Sequence, residues 1–123
     1  MRVVDSSIWI EIYSGSEIGR QHLPVLSSLQ DVIVPTIVQL EIFKWLARAR
    51  NSEQANRAIT ITNDCQVVEL TTAIAVLAAS LGAKHKLHTT DAIIYATAQI
   101  HDAVLLTCDA HFKGLEGVEY FGK

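Results

Sequence analysis

The sequence predicts an α/β protein, a three-layer α/β/α sandwich whose central parallel sheet has four to five strands. Short apolar segments alternate along the chain with longer segments of helical character, the order that builds a parallel sheet. The strand segments are continuous apolar runs, as expected where helices cover both faces of a sheet. Hydrophobic residues make up 50% of the 123 residues, enough for one buried core. We therefore expect residues 1–123 to form a single domain.

Five runs of mostly β-branched or aromatic apolar residues predict the strands. Each run is bounded by proline, glycine or polar residues that end a strand or begin a helix or turn. In chain order the runs are RVVD (2–5), VIVP (32–35), QVVEL (66–70), VLLT (104–107) and VEYF (118–121). Pro35 cannot donate to a strand partner and marks the end of the second strand.

The intervals between these strands predict the helices. Three boundaries carry a clear signal: Gly15 ends the first helix, Pro24 bends or breaks the second, and Thr36 caps the third. The segment HKLHTT before the last helix is predicted as a loop. The helices are placed at residues 7–13, 16–29, 36–50, from the turn at 51–53 to residue 63, 72–84 and 90–101.

Net charge, the length of the apolar runs and the cysteine spacing exclude several classes of protein. A net charge of −3 argues against a basic surface over the whole chain, although a local one is compatible with it. No apolar run approaches the about 18 residues of a membrane span, and the opening strand is not typical of a signal peptide. We expect a cytoplasmic protein without a membrane partner. Cys65 and Cys108 lack metal-binding spacing and are predicted to be buried thiols.

Four acidic residues stand where a predicted strand ends or a helix begins. Asp5 ends the first strand and Glu41 lies early in the helix after VIVP, while Asp91 opens the last helix and Asp109 follows VLLT. Singly, Asp5 is explained by a helix cap, Glu41 by an exposed ion pair with Lys44, and Asp109 by a turn. Because the carboxyl ends of parallel strands meet at one edge, a shared pocket explains all four together.

Clustered carboxylates predict a site for a hard divalent cation. They repel one another and raise one another's pKa values, an effect that a bound cation removes. Oxygen ligands select Mg²⁺ or Mn²⁺ rather than zinc. Such an ion activates water and orients a phosphodiester, so hydrolysis of nucleic acid is the expected chemistry. Thr107 is predicted to offer its hydroxyl to a carboxylate or to water on the metal.

Basic residues near these acids are candidates for contacts with RNA phosphates. The candidate residues are Lys44, Arg48, Lys84 and Lys86. A solvated loop is the alternative interpretation of the run around Lys84 and Lys86. The five histidines show no metal-binding spacing and are interpreted as surface or loop residues.

Four segments together resemble one family. They are VVDSSIWIE, VPTIVQLEI, TTDAIIYATA and LLTCDAHF. In their order and spacing the chain resembles the PIN-domain ribonucleases, and more closely the VapC-type toxins of bacterial and archaeal toxin–antitoxin pairs. The resemblance implies an acidic quartet for catalysis and metal binding, accompanied by hydroxyl groups. The matching positions are Asp5, Glu41, Asp91 and Asp109 for the quartet, with Thr107 and Ser6 or Ser7 for the hydroxyls.

The resemblance also implies a reaction and partners. It implies Mg²⁺- or Mn²⁺-dependent endonucleolytic cleavage of RNA by an activated water, leaving a 5′-phosphate, with tRNA and rRNA among the candidate substrates. It implies a PIN-like fold, a homodimer, and inhibition by a small antitoxin whose C-terminal tail enters the acidic pocket. Trp9 and Trp45 are expected anchors for such a tail if exposed, with burial of Trp9 in the core as the alternative.

Other functions with this architecture fit the residues less well. A PIN-like module that binds RNA or protein without cutting is the main alternative, but it has no need for four mutually repelling acids. A receiver domain requires an aspartate at the end of the third strand, where Glu69 and Leu70 stand. A dehalogenase-type phosphatase requires an aspartate two positions after Asp5, where Ser7 stands.

Overall fold

The computed structural model describes residues 1–122 and contains the predicted sheet. Five strands lie in the order β3-β2-β1-β4-β5, and all four pairings are parallel. The strands are β1 (Arg2–Val4), β2 (Val32–Pro35), β3 (Gln66–Val68), β4 (Val104–Thr107) and β5 (Val118–Tyr120). The predicted parallel α/β fold is therefore confirmed, with strand ends that differ from the predicted ones by at most two residues.

Six α-helices connect the strands. They are α1 (Ser6–Ser14), α2 (Glu17–Gln21), α3 (Thr36–Ala49), α4 (Ser52–Thr62), α5 (Thr72–His85) and α6 (Thr89–Ile100). The predicted helix at 16–29 is wrong in extent, because α2 ends at Gln21 and two short 3-10 helices follow, Leu23–Ser27 and Leu29–Asp31. Pro24 lies in the first turn of a 3-10 helix, where its missing N–H and its ring do not disturb a preceding turn.

Both faces of the sheet are covered. Val3 and Val4 are adjacent in β1 and point to opposite faces, yet both are completely buried. Ile33 and Val34 repeat this pattern in β2. The continuous apolar character of the strands therefore reflects burial from two sides, as predicted.

The α1 helix contributes a large part of the core. Trp9 is completely buried and its ring stacks on Tyr13 with centroids 6.3 Å apart. The expectation that Trp9 is an exposed anchor is thus wrong, and the alternative of burial in the core is correct. Cys65 and Cys108 are buried thiols, as predicted. Of the helices within residues 1–122, none is long and apolar enough to cross a membrane.

The register of β1 and β4 determines where the functional residues lie. Val4 pairs with Leu106, and the amide of Asp5 donates to the Leu106 carbonyl at 2.9 Å. The connection after β1 leads to β2 on one side, whereas β4 joins β1 on the other. This change of direction opens a crevice at the carboxyl ends of β1 and β4, the usual ligand position in such sheets.

Helix α2 packs so closely on α1 that only glycine fits at the contact. Gly19 is buried, and a Cβ atom built on it would overlap the backbone carbonyl of Glu11. A backbone atom cannot move aside as the end of a flexible side chain can. The α1–α2 turn therefore depends on the absence of a side chain at this position.

We expect Gly19→Ala to lower the free energy of unfolding by about 2 kcal/mol, because the two helices must separate to relieve the overlap. Gly82→Ala is the matched control within α5, where an added Cβ would lie 3.4 Å from the Cβ of Ala92, an ordinary contact. The control should be neutral or stabilising by up to about 1 kcal/mol, the helix-propensity gain of alanine. Urea denaturation followed by circular dichroism measures both, and equal effects would contradict the packing argument.

Candidate active site

Asp5 is buried directly after β1, and hydroxyl groups hold its carboxylate. Its Oδ2 accepts hydrogen bonds from Ser7 Oγ at 2.6 Å and from Thr107 Oγ1 at 2.8 Å. The side chain makes no capping bond to α1, so the helix-cap explanation does not account for it. Thr107 donates to a carboxylate as the sequence predicted. The bond between Thr107 and Asp5 joins residues far apart in the chain at the ends of adjacent strands.

Ser7 and Thr107 form a small hydroxyl network around this carboxylate. Their oxygens lie 3.3 Å apart, and Ser7 Oγ also accepts from the amide of Cys108 at 3.1 Å. Thr107 Oγ1 in turn accepts from the amide of Asp109 at 2.9 Å. The network orients Asp5 and the segment after β4 relative to each other. The sequence left the accompanying serine open between Ser6 and Ser7, and it is Ser7 that contacts Asp5.

Ser6 serves a different acid. Its hydroxyl donates to Glu41 Oε1 at 3.0 Å, which links the start of α1 to α3. Glu41 is half-buried, so the explanation as a fully exposed ion-pair partner is not what the structure shows. The two adjacent serines therefore orient two different carboxylates, one at each side of the crevice.

A groove of about 330 Å³ runs beside Glu41. Among its walls are two of the predicted RNA contacts, Lys44 and Arg48, which share the face of α3 with Glu41. The residues that line it are Ser6, Ile10, Leu40, Glu41, Lys44, Trp45, Arg48 and Thr90. Lys84 and Lys86, the other predicted contacts, are exposed at the end of α5 and do not line this groove.

Asp91 and Asp109 lie together with a histidine that the sequence analysis placed on the surface. His111 Nδ1 is 3.1 Å from Asp109 Oδ1 and 3.5 Å from Asp91 Oδ2. One ligand atom from each of the three residues lies within 4.8 Å of the others. The only signal in the sequence is that His111 follows Asp109 by two positions, which a 3-10 turn at Ala110–Phe112 converts into contact. The ring is exposed but faces the acids.

Asp109 makes the turn contact that was predicted for it and also lies among the other acids. Its side chain accepts from the amide of His111 at 2.9 Å, the turn contact expected of an aspartate at this position. The same carboxylate contacts the His111 ring, and its charge raises the pKa values of the other three acids. Asp91 lies in the first turn of α6, where the positive end of the helix favours an ionised carboxylate.

The neighbouring carboxylates raise the pKa values of Asp5, Glu41 and Asp91, in addition to the effect of burial. Burial raises the pKa of Asp5, and the charge of Asp109 raises it further, against the opposing hydrogen bonds from Ser7 and Thr107. Burial likewise raises the pKa of Asp91, with added repulsion from Asp109 and Asp5. The structure thus brings all four predicted acids into one region, which we call the acidic pocket.

Glu41 belongs to the acidic pocket from the side of α3. Burial raises its pKa, and the charges of Asp5, Asp91 and Asp109 contribute in the same direction, while the hydrogen bond from Ser6 lowers it. The raised pKa shows that Glu41, which lies in α3, interacts electrostatically with the three aspartates of the other chain segments. Four chain segments therefore supply one acid each.

The acidic pocket has the donor chemistry of a divalent-cation site. Within residues 1–122, the ion pairs of these carboxylates are with His111 alone, and imidazole carries a charge only when protonated. In the same described range, no Lys or Arg lies within ion-pair distance of these carboxylates, so no such direct contact offsets the repulsion among them. A cation such as Mg²⁺ or Mn²⁺ supplies that charge and matches the oxygen ligands. The residues present therefore fit such an ion.

Comparison with known proteins identifies the family to which the chain belongs. A sequence model of the PIN domain matches residues 2–118 of the chain. No curated protein sequence matches the chain at a significant level. Among solved structures, a toxin–antitoxin complex from Klebsiella pneumoniae superposes with a TM-score of 0.85 at 24% identity, covering 100% of both chains.

Two further structures show the same fold. VapC20 of Mycobacterium tuberculosis, described as a toxin that cleaves the sarcin–ricin loop, gives a TM-score of 0.80 at 18% identity over 94% of this chain and 95% of its own. FitAcB of Neisseria gonorrhoeae gives 0.73 at 20% identity over 99% of this chain and 97% of its own. At these identities the likeness shows a common fold.

The raised pKa values predict how pH affects the stability of the metal-free protein. A carboxyl whose pKa is raised on folding holds its proton more tightly in the folded state, so its ionisation costs stability. For Asp5, Glu41 and Asp91 this loss begins above the ordinary carboxyl pKa of about 4 and continues through the raised values. We expect Asp91→Asn to remove part of this loss and to raise Tm in EDTA near neutral pH by roughly 3 °C.

Differential scanning fluorimetry at several pH values with EDTA measures this effect. Asp31→Asn is the matched control, because Asp31 is exposed and precedes β2, at the amino-terminal end of the strand and away from the acidic pocket. Its pH profile should follow that of the unmodified protein, whereas the profile of Asp91→Asn should be shallower. A lower Tm for Asp91→Asn, or parallel profiles for all three proteins, would contradict the assignment of a destabilising charge to Asp91.

Proposed function

Because the chain belongs to the PIN domain family, we propose that it is a single-domain, Mg²⁺- or Mn²⁺-dependent endoribonuclease that acts as the toxin of a toxin–antitoxin pair. The observation that carries this proposal is the acidic pocket, in which four chain segments supply one carboxylate each. A fold alone would not define a reaction, since one fold supports many functions. The carboxylates of the acidic pocket are what indicate metal-dependent hydrolysis.

The side chains divide the work of the reaction between them. Asp5, Asp91 and Asp109 would hold the cation, and the hydroxyls of Ser7 and Thr107 keep Asp5 in a fixed orientation. When bound, a divalent ion activates water and neutralises charge on the phosphate. Glu41 completes the acidic set, and burial raises the pKa of its carboxyl above the ordinary value. The product carries the phosphate on its 5′ end.

RNA is the substrate class that the surroundings of the pocket support. Lys44 and Arg48 stand in the groove beside Glu41, where they can contact phosphates on either side of the bond that is cut. Trp45 lines the same groove and offers an aromatic surface to an unstacked base. Lys84 and Lys86 remain a second candidate pair, farther from the acids along the chain surface. Single-stranded regions of tRNA or rRNA fit this description.

An antitoxin partner is proposed on two grounds. The similar structure from Klebsiella pneumoniae is described as a toxin–antitoxin complex. The groove lined by Glu41, which leads from the acidic pocket, also contains apolar side chains, including Leu40, which is 56% exposed. An arginine on a partner's tail would pair with the carboxylates while apolar residues cover Leu40 and Trp45. Trp9 has no part in this contact, since it is buried.

A homodimer in the cytoplasm completes the proposal. Leu70 is 50% exposed and lines an apolar groove between α5 and α6, and Val76 of α5 is 67% exposed. Exposed apolar side chains grouped in this way favour contact with another protein surface. Because the chain resembles VapC-type toxins, we propose that this contact is made with a second copy of the chain.

Cleavage assays test the proposed reaction. We expect the partner-free protein to cut total cellular RNA into discrete fragments with Mg²⁺ or Mn²⁺ and to leave it intact with EDTA. Asp91→Asn should lower the rate by roughly a hundredfold, because the site loses a charged ligand. Asp31→Asn serves again as the control with unchanged activity. Gel analysis and mapping of the 5′ ends identify the cut positions.

Two results would count against this reaction. Fragments that form equally in EDTA, or that Asp91→Asn produces at the rate of the unmodified protein, would remove the acidic pocket from the chemistry. RNA that is bound but never cut would favour the alternative of a binding module without catalysis. Filter binding on the same samples separates binding from cleavage.

Salt dependence tests the RNA-contacting residues. We expect Lys44→Ala with Arg48→Ala to reduce the slope of log K against log salt concentration by about 1.4, because two phosphate contacts to a single strand are lost. The measurement uses fluorescence anisotropy with a labelled RNA in EDTA, which prevents cleavage. Lys84→Ala with Lys86→Ala provides the comparison. A larger change for the second pair would move the phosphate contacts from the groove to the end of α5.

A further inference from the structure

His111 stands at the edge of the acidic pocket in an orientation that suits a ligand. Its Nδ1 approaches both Asp109 Oδ1, at 3.1 Å, and Asp91 Oδ2, at 3.5 Å. The backbone at this position is fixed, because the His111 amide donates to the Asp109 carboxylate. The ring of His88 packs edge-on against that of His111, with centroids 5.2 Å apart. The imidazole is therefore held toward the acids from two directions.

The separations match those between neighbouring ligands of one ion. An octahedral ion with bonds of about 2.1 Å places adjacent ligand atoms about 3 Å apart. The distances from Nδ1 to the two carboxylate oxygens are close to that value. One cation can thus be shared by His111, Asp91 and Asp109 with little movement of the backbone.

A nitrogen ligand changes which ions the site favours. Mg²⁺ is hard and prefers oxygen, whereas imidazole nitrogen binds first-row transition ions well, with affinities that rise from Mn²⁺ toward Cu²⁺. We propose that His111 is a nitrogen ligand of the ion held by Asp91 and Asp109, and that it makes the site prefer Mn²⁺ to Mg²⁺. This inference rests on the metal dependence proposed above and specifies the ion.

Metal binding, independent of RNA cleavage, tests the inference. Pulsed electron paramagnetic resonance of Mn²⁺ bound to the partner-free protein should show hyperfine coupling to an imidazole ¹⁴N. His111→Ala and His111→Asn should lose that coupling, and the ratio of Mg²⁺ to Mn²⁺ dissociation constants should fall by about tenfold. Titration of the free Mn²⁺ signal, with Mg²⁺ as competitor, gives both constants.

The controls separate a ligand from other roles of the ring. His101→Ala removes an exposed imidazole beyond the opposite end of α6 from Asp91, and should change neither the coupling nor the ratio. Because His111 is exposed, its variants should keep the metal-free Tm. Asn at this position offers an amide oxygen, so His111→Asn should bind Mg²⁺ at least as well as His111→Ala.

The outcomes distinguish failure of this inference from failure of the proposed function. Mn²⁺ that binds without ¹⁴N coupling, or an unchanged ratio in the His111 variants, would show that His111 only hydrogen-bonds to Asp109, and the inference would fall alone. Absence of any Mn²⁺ or Mg²⁺ binding to the unmodified protein, with no rise in Tm, would overturn the metal-dependent function together with it.

Discussion

The parallel pairing of β1 with β4 is the constraint on which the acidic pocket depends. It sets Val4 against Leu106 and places the next residues of both strands, Asp5 and Thr107, in direct contact at 2.8 Å. A slip of one residue would turn these side chains to the opposite face of the sheet. The same register brings Asp109 beside Asp5, so that the distance between two acids distant in sequence is decided by backbone hydrogen bonds.

The clustering of carboxylates in the acidic pocket lowers the stability of the folded state, although the same carboxylates are the proposed metal ligands. Burial and mutual repulsion raise the pKa values of Asp5, Glu41 and Asp91, which means that ionisation of each works against the folded state. The hydroxyls around Asp5 offset part of this cost, and the completely buried residues of β1 and β2 hold the strand ends in position. A divalent cation bound there would relieve the repulsion that remains, so we expect metal binding to stabilise the fold.

The sequence predicted most of the fold because its signals are local and agree with one another. The strand runs are short, apolar and bounded by Pro35 or glycine, and every predicted strand is present. The structure of segment 16–29 was harder to predict, because Pro24 permits either a bent helix or a helix followed by 3-10 turns. Trp9 was ambiguous since an aromatic residue suits both a core and an interface, and its spacing from Ile12 on α1, which favours burial, is a weak signal.

The candidate site was predictable where its ligands follow strands and not where they follow a turn. The acids could be placed from the rule that carboxyl ends of parallel strands converge. The direction of the His111 ring depends on a 3-10 turn and on contact with His88, neither of which a spacing pattern encodes. The same holds for the division of work between Ser6 and Ser7, which depends on where α1 begins relative to α3.

His111 places a nitrogen donor beside the oxygen ligands that the sequence predicts, and we propose that this donor has chemical consequences. The aspartates account for a divalent cation, but they do not distinguish Mg²⁺ from Mn²⁺ strongly, because both accept carboxylate oxygen. The imidazole of His111 adds the one kind of donor that does distinguish them. Its ring lies at the exposed edge of the pocket, in contact with Asp91 and Asp109. If His111 is the ligand proposed above, a side chain at the surface sets the ion preference of the pocket.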